Sequence, residues 1–166
     1  MRAAVYRIPW VPGKERRRVT VPVQGSLTWL PLLAFRTEGA VERFSSGSPF
    51  EPVVGYSRAV RAGSVIEIAG TVATDETGNA VGVGDPYQQT RFILAKILAY
   101  VAKAGGKPED VVRTRMFVTD ISKWKEIGRA HGEVFKDIRP VTTMIEVKAL
   151  ISREYLVEIE ATAIVE

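Results

Sequence analysis

From residue 53 to the carboxyl end, the sequence switches between the two-residue period of β-strands and the longer period of amphipathic helices. Runs that alternate apolar and polar residues predict five strands, and two longer stretches with a single apolar stripe predict helices. The predicted order is therefore β-β-α-β-α-β-β, and the "GNAVG" stretch leaves room for one short further strand. The predicted strands are Val53–Val60, Val65–Thr74, Val111–Asp120 and two between residues 141 and 166, and the predicted helices run from Asp85 to Gly105 and from Ser122 to Ile138.

Each predicted helix has apolar residues on one side only, which constrains how it can pack. The first begins at Asp85 and Pro86 and ends at the "GG" of residues 105–106. Such helices cover one face of a sheet, so the predicted fold class is α+β, a sandwich with two helices on one face of a mixed sheet. The other face would carry Val, Ile and Ala side chains, and self-association is the simplest way to cover it. The two stripes are Phe92, Ile93, Ile97, Leu98, Val101 and Ala102, and Trp124, Ile127, His131, Val134 and Ile138.

Residue counts exclude several classes of catalytic site. The chain of 166 residues has no cysteine, which excludes disulfides, cysteine nucleophiles and thiolate metal sites and favours a reducing compartment such as the cytoplasm. The single histidine, His131, argues against multi-histidine metal sites and a His-centred triad. No metal and no organic cofactor is expected. The apolar run Leu27–Phe35 is far shorter than the roughly 20 residues of a membrane helix, so no membrane contact is expected.

Basic residues are concentrated at the amino end. Residues 1–37 hold seven Lys and Arg side chains against one acid, a net charge of +6, and since the whole chain carries +4, residues 38–166 carry −2. We expect residues 1–37 to form a basic extension, either an arm or an added strand, and residues 38–166 to form the domain. The extension is either a peripheral segment without a function of its own or a basic arm that packs on a neighbour or an anion. Because the domain itself is slightly acidic, nucleic acid is not expected as a partner.

Other polar features have ordinary structural explanations. His131 lies on the apolar stripe of the second helix with no acid nearby in that helix, which favours a packed core or interface histidine over a catalytic base. Arg113 and Arg115 share one face of a strand, and without interleaved exposed aromatic residues a solvated or ion-paired face is favoured over RNA binding. The loops "GVGDP" and "GKPED" lack the spacing of phosphate-binding loops.

Three carboxylates, those of Glu146, Glu158 and Glu160, lie in the last two predicted strands. Alternate side chains of a strand share a face, so the pattern predicts which of them point the same way. Two glutamates on one face repel each other when dry, and at least one of Glu158 and Glu160 should therefore be wet or partnered. The predicted faces are Thr142, Met144 and Glu146 in the first strand, and Leu156, Glu158, Glu160 and Thr162 opposite Val157, Ile159 and Ala161 in the second.

Several stretches resemble the Rid family, also called the YjgF/UK114 or L-PSP endoribonuclease family. They are "GYSRAV" followed by "VIEIAGTVATDETGNAV", the strand "RTRMFVTDISKWKEI", and above all "RPVTTMIEVKAL" with "LVEIEATAIVE". The resemblance runs from about Val41 to the end of the sequence. It implies a fold similar to bacillus-type chorismate mutase, in which helices cover one sheet face and three subunits pack their sheets around a barrel-like centre. It also implies small-molecule clefts between neighbouring subunits of a homotrimer.

The same resemblance implies which residues would line such a cleft. In the deaminases of the family, an arginine in a P-A-R-S-x-V-E-V motif binds the carboxylate of a 2-imino or enamino acid, a bidentate contact suited to guanidinium. This sequence has Thr142 at the arginine position, with Met144 on the same face. Tyr56 would line the cleft, Gly70 would offer its backbone, and Glu158 would position the attacking water. Glu158 is thus the expected catalytic residue, and the other four are expected to bind substrate.

Three functional hypotheses remain open at this point. A threonine offers one neutral hydrogen bond where the deaminases offer a charged fork, a loss of roughly a few kcal/mol toward a carboxylate. The first hypothesis is therefore a trimeric protein that binds or hydrolyses a small metabolite but is not a standard 2-imino acid deaminase. The second is an enamine or imine deaminase of the 2-aminoacrylate type, hydrolysing a C=N bond with another cation such as Arg139 or a basic residue of the extension. The third is an RNA-directed endoribonuclease, a translation inhibitor or a non-catalytic regulatory module.

Overall fold

The computed structural model describes residues 40–166, and the predicted extension of residues 1–37 lies outside them. The described residues form an α+β fold, as predicted, with a six-stranded mixed sheet and two main helices. The strands are β1 (Glu42–Phe44), β2 (Ala59–Ala62), β3 (Val65–Val72), β4 (Val111–Val118), β5 (Val141–Glu146) and β6 (Val157–Ile164), and the helices are α1 (Phe50–Val54), α2 (Pro86–Lys103) and α3 (Trp124–Phe135).

The strand order across the sheet is β1-β2-β3-β6-β4-β5. The pairs from β1 to β4 are antiparallel, and β4 and β5 are parallel neighbours. A parallel pair needs a crossover, which α3 supplies between β4 and β5. The last strand of the chain, β6, therefore lies in the centre of the sheet, and β5 lies at its edge.

Helix α2 follows the predicted boundaries closely. The Asp85 side chain accepts a hydrogen bond from the Gln88 backbone N–H at 2.9 Å, which satisfies one of the free donors of the first turn. The predicted stripe is correct at Ile93, Ile97 and Val101. Phe92 and Leu98 of the predicted stripe are half-buried and pack against the core. The stripe is wrong at Ala102, which is exposed, and it omitted Leu94, which is buried.

Helix α3 is shorter than predicted, because residues 121–123 form a single 3₁₀ turn and the α-helix ends at Phe135. Ile127, His131 and Phe135 are buried along one side, together with Ala130. Trp124 was predicted on this stripe and is instead 54% exposed. Trp124 is the first residue of the helix. The direction of its side chain therefore depends on the conformation of the preceding 3₁₀ turn rather than on the helical period.

The amino-terminal part of the domain differs from its prediction. The predicted strand Val53–Val60 is wrong over residues 53–58, because Phe50–Val54 forms the short helix α1 and β2 begins only at Ala59. Glu51 holds this helix to the preceding loop, since its carboxylate accepts hydrogen bonds from the Ser46 backbone N–H at 2.9 Å and from the Ser46 hydroxyl at 2.6 Å. Gly55 ends the helix with φ of 80°, a left-handed conformation that favours glycine.

Two irregular features frame the central strands. Strand β1 was not predicted, because a strand of three residues is too short to show a period. The further strand expected at "GNAVG" is reduced to one β-bridge between Thr74 and Ala80. A glycine inside a strand predicts a bulge or a close approach to the backbone. At Gly70 the bulge is confirmed, because the pairing of β3 with β6 shifts register between Ile68 and Thr71. This bulge brings a backbone segment close to the neighbouring strand β6.

The two faces of the sheet have different surroundings. In β6 the residues that point toward the helices are buried, which confirms the predicted apolar face of Val157, Ile159 and Ala161. In β4 the residues on this covered face are Val111, Thr114, Met116 and Val118. Register places Thr142, Met144 and Glu146 of β5 beside Thr114, Met116 and Val118, and so on the covered side as well. The open face carries Glu67 of β3, Arg115 and Phe117 of β4, and Glu158, Glu160 and Thr162 of β6.

Candidate functional site

The predicted site residues fall into two groups within one chain. Tyr56, Gly70 and Glu158 lie together around the bulge of β3. Thr142 and Met144 lie on edge strand β5, separated from Glu158 by the whole of β4. They also belong to the other face of the sheet. A single chain therefore does not bring Thr142 to Glu158.

Gly70 and Glu158 make the closest approach of the first group. A Cβ atom built on Gly70 would lie 2.1 Å from Oε1 of Glu158, which no real pair of atoms tolerates. Glycine at position 70 is therefore what allows the carboxylate to lie directly over the backbone of the bulge. The Glu158 carboxylate therefore fills the space beside Gly70 that a side chain would take.

The Glu158 carboxyl is half-buried, and its pKa is shifted upward. Burial has the largest effect and raises the pKa, and the negative charge of Glu160 two residues along the same face raises it further. The positive charge of Arg58 acts in the opposite direction and lowers it. A carboxyl whose pKa is raised can take up a proton closer to neutral pH, which suits a group that accepts a proton from water.

Arg58 is a member of this group that the sequence interpretation missed. The residue is only 8% exposed, and its Nη1 donates to the carbonyl oxygen of Gly70 at 2.7 Å and to the hydroxyl of Thr71 at 3.1 Å. These contacts brace the bulge that positions Gly70 against Glu158. The available signal was its place in "GYSRAV", two residues from Tyr56, where a charged residue enters an apolar strand.

Tyr56 is joined to the group through Arg58. Nη2 of Arg58 lies 3.4 Å from the Tyr56 hydroxyl, and the guanidinium carbon lies 5.6 Å from the centre of the Tyr56 ring. The start of this segment is held by Glu51, whose carbonyl oxygen accepts hydrogen bonds from the backbone N–H groups of Gly55 at 2.9 Å and Tyr56 at 3.2 Å. We call Tyr56, Arg58, Gly70 and Glu158 the bulge site.

Glu51 itself is a structural carboxylate. Its burial acts to raise its pKa, but hydrogen bonds from the Ser45 and Ser46 hydroxyls and from the Ser46 backbone outweigh burial, and the pKa is lowered. Both oxygens of this carboxylate accept hydrogen bonds from the preceding loop. Its role is to fix the loop that leads to Tyr56.

Thr142 is part of a hydrogen-bonded chain that the sequence did not reveal. Its hydroxyl lies 2.7 Å from the hydroxyl of Thr114 on β4, and the Thr114 hydroxyl lies 3.0 Å from Nε2 of His131 on α3. Thr114 and His131 are buried, whereas Thr142 is exposed. We call these three residues the edge chain. The chain leads from an exposed edge of the sheet to an imidazole beneath the helix layer.

His131 is neutral in this environment at ordinary pH. Burial is the cause that lowers its pKa. Its ring packs against Phe135 with a centroid separation of 4.8 Å. The prediction of a packed histidine is therefore confirmed. The ring is also hydrogen-bonded to Thr114, and through it to Thr142.

Met144 and the two remaining glutamates have separate positions. Met144 is half-buried and packs against the core beneath the helices. Glu160 forms an ion pair with Arg115 across the open face, and Arg115 is thus ion-paired, as the sequence favoured. Glu146 accepts a hydrogen bond from the Ile121 backbone N–H at 2.8 Å. Neither of these glutamates belongs to the bulge site.

Residues 40–166 contain no group of three or more His, Asp or Glu side chains placed to hold a metal ion. They also contain no helix long and apolar enough to cross a bilayer. A shallow cavity of about 200 Å³ lies near the start of α2 and α3. It is separate from the bulge site, since its lining is Gly84, Pro86, Thr119, Asp120, Lys123, Ile127 and Leu156.

The family profile described as Endoribonuclease L-PSP matches residues 47–165 of the chain. Among protein sequences, an uncharacterised protein of Streptomyces coelicolor is 39% identical over 127 residues, which cover 76% of this chain and 94% of that protein. The 3-aminoacrylate deaminase RutC of Acinetobacter baylyi is 31% identical over 117 residues, which cover 70% of this chain and 91% of the relative.

Solved structures give matches over a similar share of the chain. Rv2704 from Mycobacterium tuberculosis, a member of the YjgF/YER057c/UK114 family, is 48% identical with a TM-score of 0.69, covering 76% of this chain and 100% of its own. PA3499 from Pseudomonas aeruginosa, a protein of unknown function, is 30% identical with a TM-score of 0.66, covering 76% of this chain and 94% of its own. The bulge site and the edge chain both lie within the residues matched by the family profile.

Proposed function

The chain belongs to the endoribonuclease L-PSP family, also called the YjgF/UK114 or Rid family, and on that premise we propose that it binds or hydrolyses a small metabolite in clefts between neighbouring copies of itself. The observation that carries this proposal is the division of the family's site residues. Glu158 and Thr142 lie on opposite faces of one sheet, separated by β4. A cleft that uses both must take Glu158 from one copy and Thr142 from another.

The edge strand supports association between copies. Strand β5 has one neighbour in the described sheet, and its residues Val141 and Ile145 are 62% and 47% exposed. An unpaired edge with exposed apolar side chains is costly to leave in water. A homotrimer, the assembly that the family resemblance implies, would cover this edge and the open face of the sheet together.

The chemistry proposed for the cleft centres on Glu158. With its pKa raised by burial and by Glu160, this carboxyl is suited to orient a water molecule and take up its proton as the water attacks. The absence of a side chain at Gly70 lets this carboxylate lie against the bulge, and Tyr56 forms a wall of the site. Thr142, from the second copy, contributes one neutral hydrogen bond. The proposed substrate therefore does not present a carboxylate to this position.

A second candidate function is deamination of an enamine or imine that does carry a carboxylate. It is favoured by the relative named 3-aminoacrylate deaminase RutC. This candidate needs a cation near Thr142. Arg58 does not serve, because it is buried and its Nη1 is engaged by the bulge. Arg139 is a nearer source in the sequence, and its Nε donates to the Lys136 carbonyl oxygen at 3.1 Å.

An RNA-directed activity is the third and weakest candidate. The name of the matched family includes an endoribonuclease, but residues 38–166 carry a net charge of −2, and phosphate binding needs a basic surface. Only the extension of residues 1–37, with its net charge of +6, could supply one. Deleting these residues should therefore abolish any affinity for RNA, and equal binding by the truncated protein would contradict the electrostatic reasoning.

The test is ammonia release from freshly generated 2-aminoacrylate by the natural protein and by Thr142→Arg. We expect the natural protein to be inactive and the arginine variant to gain turnover, because the cleft then holds the substrate carboxylate. Thr142→Gln is the matched control, since it adds length without charge and should gain nothing. Adding Glu158→Gln to the arginine variant should remove at least about 100-fold of the gained rate.

Each result assigns the function differently. Activity in the natural protein would mean that another cation holds the carboxylate, and the second candidate would replace the first. A folded, trimeric Thr142→Arg variant without turnover would contradict the proposed cleft. Sedimentation of each variant, measured at one protomer concentration, separates loss of chemistry from loss of assembly.

A further inference from the structure

The hydroxyl of Thr114, at the centre of the edge chain, can either donate or accept each of its two hydrogen bonds. Thr114 is fully buried, and its hydroxyl contacts Thr142 on one side and His131 on the other. A hydroxyl has one proton to donate and two lone pairs. The direction of the hydrogen bond between His131 and Thr114 therefore determines whether Thr142 can donate a hydrogen bond to a ligand or only accept one.

The two neutral tautomers of His131 give opposite results. When Nε2 carries no proton, Thr114 donates to it, Thr142 donates to Thr114, and Thr142 can only accept a hydrogen bond from a ligand. When Nε2 carries the proton, it donates to Thr114, Thr114 donates to Thr142, and the Thr142 proton is free for a ligand. The distances of 3.0 Å and 2.7 Å fit either direction.

Within residues 40–166, no second side chain selects a tautomer of His131. The side-chain hydrogen bond of its ring is the one between Nε2 and Thr114. Where the second nitrogen of a histidine has a strong partner, that partner selects the tautomer. Here a ligand at the far end of the chain can select it instead.

We propose that His131, acting through Thr114, is the positioning residue that adapts the hydrogen bond of Thr142 to a neutral ligand, and that an acceptor oxygen bound there, such as that of an amide or ketone, shifts the imidazole to the tautomer with a protonated Nε2. This inference rests on the proposed function, since it takes Thr142 as part of the ligand cleft. An acceptor oxygen draws the chain into the direction in which Nε2 carries the proton. A carboxylate is disfavoured, because a single neutral donor replaces little of the hydration that the anion loses.

The chain offers a direct spectroscopic test, because His131 is its only histidine. The two imidazole nitrogen-15 resonances of the full-length protein therefore belong to one residue and report the tautomer without assignment. The probes are propionamide and propionate, which have nearly the same shape and differ in charge. Each is titrated into the natural protein, Thr142→Val, Thr114→Val, Thr114→Ser and Thr143→Val.

We expect propionamide to increase the population with a protonated Nε2, in a saturable way, in the natural protein and in Thr143→Val. Thr143 lies on the opposite face of the same strand and is the matched control. Thr142→Val should weaken propionamide binding by roughly three- to ten-fold, the loss of one neutral hydrogen bond, and abolish the imidazole response. Thr114→Val should abolish the response, and Thr114→Ser, which keeps the hydroxyl, should restore it.

Four results would overturn the inference. Propionate could bind as tightly as propionamide, propionamide could bind with no change in the imidazole resonances, or the response could persist in Thr142→Val. Absence of any propionamide binding would overturn it as well. The 2-aminoacrylate turnover gained by Thr142→Arg distinguishes this inference from the proposed function. Full retention of that turnover after Glu158→Gln is added would contradict the proposed function alone.

Discussion

The bulge site and the edge chain are two polar arrangements on one sheet, and their buried polar groups are stabilised in different ways. In the bulge site a buried guanidinium braces backbone carbonyl oxygens, and a carboxylate lies over a glycine. In the edge chain, among the residues that the structure describes, two hydroxyls and a neutral imidazole hydrogen-bond to one another. Charge in the first arrangement is offset by charge and carbonyl dipoles, whereas the second avoids charge altogether.

This contrast has a consequence for pH dependence. Burial raises the pKa of the Glu158 carboxyl and lowers the pKa of the His131 imidazole. Both shifts favour the neutral form, yet they act on stability in opposite directions, because one group is an acid and the other a base. The two regions can therefore be separated by their response to mutation and to pH.

The largest effect is expected from Arg58→Met, which keeps the length of the side chain and removes its charge. The carbonyl oxygen of Gly70 and the hydroxyl of Thr71 lose a charged donor inside the domain. The free energy of unfolding should fall by about 3 kcal/mol in urea titrations at fixed protomer concentration. Arg115→Met is the matched control, because the Arg115–Glu160 pair is about half exposed and should contribute at most about 1 kcal/mol. Equal losses would contradict the bracing role of Arg58.

The next effect is expected from Thr114→Val, which breaks the edge chain at its centre. The volume is nearly conserved, but Nε2 of His131 and the Thr142 hydroxyl both lose their partner. The free energy of unfolding should fall by about 2 kcal/mol. Thr162→Val, which removes an exposed hydroxyl bonded to Glu67, should change it by less than about 0.5 kcal/mol. A Thr114→Val protein as stable as this control would mean that the edge chain contributes nothing.

A smaller effect is expected from His131→Gln as the pH is lowered. The folded state holds the pKa of His131 below its unfolded value near 6.5, so it binds fewer protons than the unfolded state. The natural protein should lose stability as the pH falls below about 6.5. The glutamine variant, which does not titrate, should lose less over the same interval. Parallel stability curves for the two proteins would show that burial of the imidazole does not affect stability.

The smallest effect, of opposite sign, is expected from Glu158→Gln. The folded state raises the pKa of this carboxyl, so its contribution is present at low pH and is lost as the pH rises through the folded-state pKa. The glutamine variant should be more stable than the natural protein near pH 7, by less than about 1 kcal/mol because the group is half-exposed. The difference should vanish toward pH 4. A natural protein that is the more stable one at pH 7 would mean that Glu158 has a stabilising partner.

Much of the fold could be predicted from the sequence. The two main helices, the central strands, the irregularity at Gly70 and the buried face of β6 all follow from periodicity and from turn residues, which act over a few positions. The failures have local causes of another kind. A buried carboxylate that bonds the preceding loop turned part of a predicted strand into α1, and the single turn before α3 directs Trp124 into water.

The candidate site was only half predictable. Family motifs identify Tyr56, Gly70 and Glu158, and the structure places these residues around one bulge. They do not identify Arg58 as the residue that braces it. They also do not indicate that Thr142 and Glu158 are on opposite faces, because that depends on which strands lie between them.

By itself, the sequence determined the family, the order of the main strands and helices, and the lack of a cysteine or of a second histidine. Only the tertiary structure decided that Thr142 meets Thr114 and that Thr114 meets His131. These contacts join residues 28 and 17 positions apart. They depend on the register of two parallel strands and on the rotation of a helix above them. No local pattern encodes either quantity, since both are set by how the whole core packs.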